Sequence, residues 1–485
     1  MKLLIKIVTK VSLSVGLLLW IASCAVNPVT GTQELMLLSE TDEIKLGGET
    51  DAQVIKEYGI YEDAKLTAYL NDLCQRIGKI SHRPNLTYYF KIADVSVVNA
   101  FAVPGGYLYF TRGILASLNS EAELAGVMGH EIGHITARHS AQQYSRAQFA
   151  QVGLLGLGLA LPGAFSSLAE VAGLGVGMLF LSFSRNDERQ ADDLGVEYAS
   201  KLGYDAAQMS NFFETLERMK PDSDRSGLPD WFSTHPNPEN RIKVIRIRAK
   251  EWQDKLGRRD PVLHRDEYLR RIDGLVFGED PRQGYVKEHI FYHPELRFQF
   301  PVPAKWKINN TPANVQMVSE GKEAVILSTM TKGTSPYQAA VSFATKNKAR
   351  VISADAVNIN GLPSERLLSD VQSEKEVIRV LSYFIQRGKE IFVFHGLATS
   401  LNLFRKHEPI FDETMRNFRE LTDPRRINVR PDRIRIRVAG TTDRLENLLR
   451  SFGIPNEKVT EVAVLNGKDL KELVPSNTML KVVEE

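Results

Sequence analysis

The sequence predicts an α+β protein: a mainly helical domain with a small sheet, then a β-rich α+β domain, then a small βααβ module. Three patterns predict it. In the first half, apolar residues recur at three- and four-residue spacing, as in Leu66, Leu70, Leu73, Cys74, Ile77 and Ile80, the period of a helix with one face in a core. Between residues 285 and 424 the pattern changes to short runs of β-formers broken by turns. From Arg433 to Val483 a strand, two helices and a closing strand follow in order. The chain of 485 residues is too long for one ordinary domain, and 43% hydrophobic with 25% charged residues is a globular composition rather than a disordered one. Basic residues number 61 against 59 acidic ones, so the overall charge gives no reason to expect nucleic acid as a partner. Two cysteines, Cys24 and Cys74, exclude a disulfide framework.

At the N-terminus, Lys2, Lys6 and Lys10 precede an apolar run from Val11 to Ile21, which is the layout of a secretory signal and is short for a bilayer span. The run ends in Ile21-Ala22-Ser23-Cys24, and small residues directly before a cysteine resemble the lipobox of bacterial lipoproteins. The resemblance implies that residues 1–24 are a lipoprotein signal peptide and that Cys24 is lipidated. With Ala25 rather than an aspartate next, it points to the periplasmic face of the outer membrane. An ordinary signal peptide or membrane anchor that happens to contain a cysteine is the alternative.

Asn27-Pro28-Val29-Thr30-Gly31 reads as a turn-rich tether, and Ser39-Glu40-Thr41-Asp42 as a helix start. Tyr88, Phe90 and Ile92 alternate as in a strand, Val95 to Val98 continue it, and Phe101-Ala102-Val103 runs through Pro104-Gly105-Gly106 into Tyr107-Leu108-Tyr109-Phe110. Asn99, Ala100, Phe101, Ala102 and Val103 are the candidate for an exposed sheet edge that binds a substrate backbone by strand addition; an ordinary buried hairpin is the alternative.

The chemistry begins at Ser120, where Ser120 and Glu123 form a capping box ahead of an apolar stripe carrying His130-Glu131-Ile132-Gly133-His134. Residues four apart share a helical face, so His130 and His134 can reach one metal ion with Glu131 beside them. His139 falls five residues past His134, well off the ligand face, and is expected to be a solvated helix histidine rather than a ligand. Residues 152–183 are apolar and glycine-rich but are split by Leu161-Pro162-Gly163 and Ser166, Ser167 and Glu170 into pieces shorter than the roughly 18 residues a span needs. They read as two helices over the site or a lid, with a membrane-dipping hairpin as the alternative. Beyond them Glu188 and Asp192 share a face; one could bind the metal while the other accepts a hydrogen bond from the far nitrogen of a ligand histidine.

Four motifs now stand in order: Asn99-Ala100-Phe101-Ala102-Val103-Pro104-Gly105-Gly106, HExxH at 130–134, Glu188-x-x-Ala191-Asp192, and Thr234-His235-Pro236-Asn237-Pro238 with Arg241. Together they resemble the BepA/HtpX/CAAX-prenyl-protease family of gluzincin metallopeptidases, over about the first half of the mature chain. The resemblance implies a zincin-type metallopeptidase domain over residues 25–257. Within it, His130, His134 and Glu188 are implied to hold one zinc ion per chain, with Glu131 as general base and Asp192 supporting a ligand from behind. It places His235 near the zinc, either stabilising the oxyanion or filling the open coordination position in a resting state. Arg241 would orient the substrate or the loop; a surface salt bridge is the alternative.

A helical linker is expected over 258–284. In 285–424, Phe298 to Pro303, Ala324 to Leu327, Val377 to Ile385 and Ile391 to His395 read as strands, with a helix from Phe404 to Phe418. Phe300, Pro303 and Trp306 give this portion a likeness to PsbP-like domains, and its His289, His293, His395 and His407 form no metal pattern. Residues 425–485 resemble a LysM-type module, with Asn466-Gly467 ahead of Leu470 and Pro475, though they depart from that pattern at Ala439-Gly440-Thr441-Thr442.

The expected function is a zinc endopeptidase of the cell envelope acting on extended or misfolded polypeptide, outer-membrane proteins among its candidate substrates. Polypeptide substrates are the expected partners; outer-membrane assembly machinery, and peptidoglycan at the C-terminal module, are further candidates. The competing reading is a latent peptidase that acts mainly as a chaperone-like or peptidoglycan-binding lipoprotein.

Overall fold

The structure is a computed structural model that describes residues 24–146, 182–219, 231–236, 240–372 and 377–485. The expected signal peptide before Cys24, all but the last two residues of the glycine-rich stretch, and Asn237 and Pro238 lie outside the described residues.

At the start of the described chain, β1 (Cys24–Val26) pairs antiparallel with β2 (Gln33–Leu35) across a turn in which Asn27 Oδ1 accepts from the Val29 N–H at 2.9 Å. Ser39 caps α1 (Glu40–Tyr58) in a capping box with Asp42. Asp63 caps α2 (Ala64–Ile80), which buries Leu66, Leu70, Leu73, Cys74 and Ile77 as their spacing predicts. The Cys74 thiol is free, and burial pushes its pKa up to about 12, so it behaves as a small apolar group.

A three-stranded sheet follows: β3 (Tyr89–Ala93), β4 (Ala100–Val103) and β5 (Tyr107–Thr111), in the spatial order β3-β5-β4. β3 runs parallel to β5 and β4 antiparallel to it. Gly105 and Gly106, with φ of 80° and 98°, make the β4–β5 turn. Val95 to Val98, expected as strand, form a loop instead. Thr111 Oγ1 donates to the Val97 carbonyl at 2.5 Å, and a Cβ on Gly113 would lie 2.1 Å from the Ser96 carbonyl, so the next helix packs directly on these groups.

The helices are α3 (Arg112–Ser117), α4 (Glu121–Thr136), α5 (Arg185–Leu202), α6 (Gln208–Arg218), α7 (Arg241–Lys255) and α8 (Arg265–Ile272). α4 carries HExxH and every one of its residues is buried. A helix buried all round sits at the centre of a domain, and the glycines of α4 let its neighbours come close. A Cβ on Gly126 would sit 2.7 Å from Met209 Cβ of α6, and one on Gly195 of α5 would sit 2.8 Å from the Gly126 carbonyl. One continuous core joins Leu70, Phe110, Val127, Leu194, Phe212 and Leu269 from α2, β5, α4, α5, α6 and α8. No helix among the described residues is long and apolar enough to cross a membrane.

Among the described residues the β-rich part has two sheets. β6 (Tyr285–Lys287), β7 (Ile290–His293) and β8 (Phe298–Pro301) pair in sequence order, and β16 (Arg419–Glu420) adds beyond β8. β9 (Lys307–Asn310), β10 (Val315–Val318), β11 (Ala324–Lys332), β12 (Arg350–Ile359), β13 (Leu362–Gln372), β14 (Val377–Arg387) and β15 (Glu390–Ala398) form an antiparallel sheet ordered β12-β13-β14-β15-β11-β10-β9. One face packs Leu381, Tyr383 and Phe394 with Phe300 and with Phe411 of a helix at Leu401–Arg416; the other packs Leu367 and Phe384 under a helix at Pro336–Lys346.

The last 53 residues show the expected order: β17 (Arg433–Val438), helices at Leu445–Ser451 and Val459–Leu465, and β20 (Met479–Glu484), with the two-residue β18 (Asp443–Arg444) and β19 (Leu473–Val474) between. This module docks on the helical domain. The Gly274 N–H donates to the Ile434 carbonyl at 2.8 Å and the Ile434 N–H to the Leu275 carbonyl at 2.8 Å, while Ile434 and Leu465 enter the helical core. Lys481 is fully buried, and its Nζ donates to the carbonyls of Ala116 at 2.7 Å and Leu118 at 2.9 Å, at the end of α3. Glu123, in the first turn of α4, is buried opposite it; burial lowers the Lys481 pKa and raises that of Glu123.

Candidate active site

α4 starts where the sequence says it should. Ser120 Oγ accepts from the Glu123 N–H at 3.1 Å, and Glu123 turns its carboxylate back to the Asn119 N–H at 2.7 Å. Two turns on, His130 and His134 project from one face with their Nε2 atoms 3.0 Å apart. α5 runs against that face, and Ser184 caps it with Asp187 so that Glu188 and Asp192 meet the histidines. Glu188 Oε1 lies 3.4 Å from His134 Nε2, and Oε2 lies 3.7 Å from His130 Nε2. The chain then returns through a single helical turn at Trp231–Thr234, which stacks the Trp231 and His235 rings at 4.3 Å. This sets His235 Nδ1 3.0 Å from Glu188 Oε1 and 3.4 Å from His130 Nε2.

His130, His134, Glu188 and His235 can therefore each offer one atom to a common point, these atoms all lying within 4.8 Å of one another. A cation fits there. The two Nε2 lone pairs face the same space, the Nδ1 atoms behind them are taken up by Asp192 Oδ1 at 2.9 Å and His139 Nδ1 at 2.9 Å, and Glu188 adds a negative charge. Both oxygens of Glu131 and the Nε2 of His235 are buried without a hydrogen-bond partner in the protein, 3.6 Å apart at their closest, so these polar atoms can turn to a bound group.

The electrostatics follow from burial. It pushes the Glu131 carboxyl up to about 7, against the pull of His235, and lowers both His130 and His134 well below the usual imidazole range. Glu188 goes the other way: burial would raise it, but the surrounding His235, His134 and His130 hold it well below the usual carboxylate range. For His235 the downward effect of burial is outweighed by Glu188 and Glu131, and its pKa is raised. Asp192 is pushed up to about 6 by burial, with Arg241 opposing.

Arg241 is buried rather than at the surface. Its Nη2 bonds to Asp192 Oδ1 at 2.7 Å and to Glu188 Oε2 at 3.3 Å, with the guanidinium 3.8 Å over the Phe213 ring. The expected substrate strand lies at the sheet edge. The Thr111 N–H bonds to the Asn99 carbonyl, a register in which Phe101 and Val103 face β5 and the main-chain groups of Ala100 and Ala102 point away from it. Along that edge the Ala102 carbonyl accepts from Ser140 Oγ at 3.5 Å, and the Val98 carbonyl from the Trp231 N–H at 3.1 Å. Cys24 stands at the start of β1, paired with Leu35.

Two neighbours of the site were not legible. Phe183 stacks on His134 at 3.9 Å, and its N–H bonds to the Thr234 carbonyl at 3.1 Å, closing the cluster on that side. His139 is 2% exposed and hydrogen-bonded to His134, not solvated. The expectation assumed a continuous helix, whereas α4 stops at Thr136, Arg138 takes φ of 60°, and a new helical stretch begins at His139 and turns it back beneath His134.

Residues 63–249 match the family model of Peptidase family M48, a stretch that contains every one of these groups except Cys24. The beta-barrel assembly-enhancing protease of Escherichia coli (strain K12) is 31% identical over 235 residues, 47% of this chain and 47% of its own. The mitochondrial metalloendopeptidase OMA1 of Schizosaccharomyces pombe is 31% identical over 232 residues, 46% of this chain and 65% of its own. The chain thus spans about half the length of the beta-barrel assembly-enhancing proteases it matches. Among solved structures, cyanobacterial PsbP from Synechocystis aligns with 27% of this chain and 91% of its own at 14% identity and a TM-score of 0.24. Residues 63–249 are a domain of peptidase family M48, a family of metallopeptidases.

Proposed function

We propose that the chain is a zinc-dependent endopeptidase of the bacterial cell envelope that cleaves extended or misfolded polypeptide, outer-membrane proteins among its substrates. The observation that carries this reading is the convergence of His130, His134 and Glu188 on one point, beside a Glu131 whose two oxygens have no partner. His130, His134 and Glu188 hold the metal. When bound, zinc supplies a Lewis acid that brings the pKa of water toward about 7 and polarises the scissile carbonyl. Glu131 takes a proton from the attacking water and returns it to the leaving amine. Asp192 holds His130 by its Nδ1, and Arg241 keeps the Glu188 and Asp192 carboxylates from repelling each other. Substrate enters as an added strand along Ala100 and Ala102, displacing the contacts that Ser140 and Trp231 make there.

His235 occupies the space a substrate carbonyl needs, so the arrangement is a resting one. Release of His235 from Glu188 opens the site and leaves the imidazole free to donate to the oxyanion. The buried, closed cluster also favours the second reading, in which a latent peptidase acts mainly as a chaperone-like lipoprotein. Lipidation at Cys24 anchors the chain to the periplasmic face of the outer membrane, near the assembly machinery that the Escherichia coli relative's name concerns. The LysM-like module supplies contact with peptidoglycan through the surface left free by its docking.

The test is cleavage of a denatured polypeptide by purified protein. A chelator should abolish it and added zinc restore it; cleavage indifferent to chelator would overturn the proposal. The latent reading predicts no cleavage by wild type together with suppressed aggregation of the same substrate.

A further inference from the structure

We propose that His139 is a positioning residue that fixes the tautomer and ring plane of His134 through a hydrogen-bond relay, His134–His139–Gln190; this rests on the metal site proposed above. The relay has a single consistent direction. His134 Nε2 faces His130 Nε2 at 3.0 Å and Glu188 Oε1 at 3.4 Å, the side from which it would meet a cation. A metal ligand presents a lone pair, so the ring proton of His134 belongs on Nδ1. That nitrogen lies 2.9 Å from His139 Nδ1, which must therefore accept. The proton of His139 is then on Nε2, where Gln190 Oε1 waits as an acceptor at 2.9 Å. Each atom has one role, and none conflicts.

The placement ties the two ligand-bearing helices together. Gln190 sits two residues beyond Glu188 on α5, so the relay runs from a ligand on α4 to the helix that provides the other one. It also completes a symmetry of support: His130 is held from behind by Asp192, and His134 by His139. Phe183 stacks on one face of His134 at 3.9 Å and so supports the same ring plane that the Nδ1 bond sets. Groups that hold a ligand histidine in this way typically change metal affinity or activity by about 10- to 100-fold when removed.

The experiment measures zinc affinity by competition with a chromogenic chelator, alongside the melting temperature of the metal-free forms. His139→Leu removes the acceptor and should bind zinc about 10- to 100-fold more weakly. His139→Asn puts Oδ1 close to where the Nδ1 acceptor was and should recover most of that loss. Gln190→Leu breaks the far end and should weaken zinc by a smaller factor, and it reports on the relay if His139→Leu does not fold. Metal-free melting temperatures should fall in both His139→Leu and Gln190→Leu, since each leaves buried polar groups unpaired, so the relay is read from the zinc affinity of the folded variants and its recovery in His139→Asn. The proposal is overturned if His139→Leu binds zinc as wild type does, or if His139→Asn is as weak as His139→Leu. Failure of the metal site itself looks different: wild type would take up no zinc, or His130→Ala would bind as tightly as wild type.

Discussion

Lys481 lies in the last strand of the chain, yet it terminates α3 and faces the first turn of the HExxH helix. Lys481→Met keeps the length and apolar stem of the side chain and removes the ammonium. The Ala116 and Leu118 carbonyls then lose their donor, each at a cost of about 1–3 kcal/mol if left unsatisfied. Glu123 loses one of the two nearby cations, Lys481 and Arg265, that oppose its protonation, so its carboxyl takes up a proton more readily. Arg265 also stays near Glu123, so the two unsatisfied carbonyls set the expected loss at about 3 kcal/mol. The assay is hydrogen exchange of the α4 amides. A loss of this size should speed their exchange by about a hundredfold, and Glu123→Gln added to Lys481→Met should restore part of the protection. Lys458→Met, which alters a half-exposed ion pair of the same module, should do almost nothing. A change in α4 exchange of less than about fivefold in Lys481→Met would refute the idea that the terminal module braces the catalytic helix.

Three further outcomes are expected. His235→Ala should cleave an unfolded substrate several-fold faster than wild type if His235 chiefly closes the site; a strong fall in rate instead assigns it to catalysis, and both are read from initial rates. Gly195→Ala should lower stability by about 1–3 kcal/mol and weaken zinc binding, because its Cβ would meet the Gly126 carbonyl at 2.8 Å and the His130 N at 3.0 Å and so push α5 off α4; unchanged urea midpoint and zinc affinity would contradict that packing. In the β-rich part, burial pushes His293 and His395 down to about 4, so the unfolded chain binds protons more readily below pH 6.5, and stability present above 6.5 should be lost as the pH falls toward 4. Replacing His395, which is bonded to Ser382 Oγ at 2.8 Å, with Gln should flatten that fall in an acid titration followed by circular dichroism.

Much of the helical half was legible because its signals are local. The spacing of Leu66, Leu70, Leu73 and Ile77, the Ser120 cap and the placement of two histidines and two carboxylates four residues apart are all set by helix geometry. What escaped the sequence depends on where a helix stops or on contacts between distant segments. His139 was placed by assuming that α4 continued, and a left-handed Arg138 undid the assumption. Trp231, Phe183 and Lys481 reach the site or its helix from far along the chain, and no periodicity announces such a contact. The hairpin of β12 and β13 was missed for another reason: β12 is an edge strand with little burial on either face, so Arg350 to Ile359 shows no alternation to read. A surface salt bridge stays open for Arg241 on sequence alone because arginine is usually exposed, but two buried carboxylates give it a partnered place inside.

In the proposed site His130, His134 and Glu188 hold a metal while Glu131, beside them, serves the reaction and not the metal. Zinc content and cleavage of a denatured polypeptide, measured on the same preparation of Glu131→Gln, test it most directly. Glu131→Gln should hold close to one zinc per chain, as in wild type, with the rate down by about 10²–10⁴-fold. Retained cleavage, or loss of the zinc together with the cleavage, would contradict it.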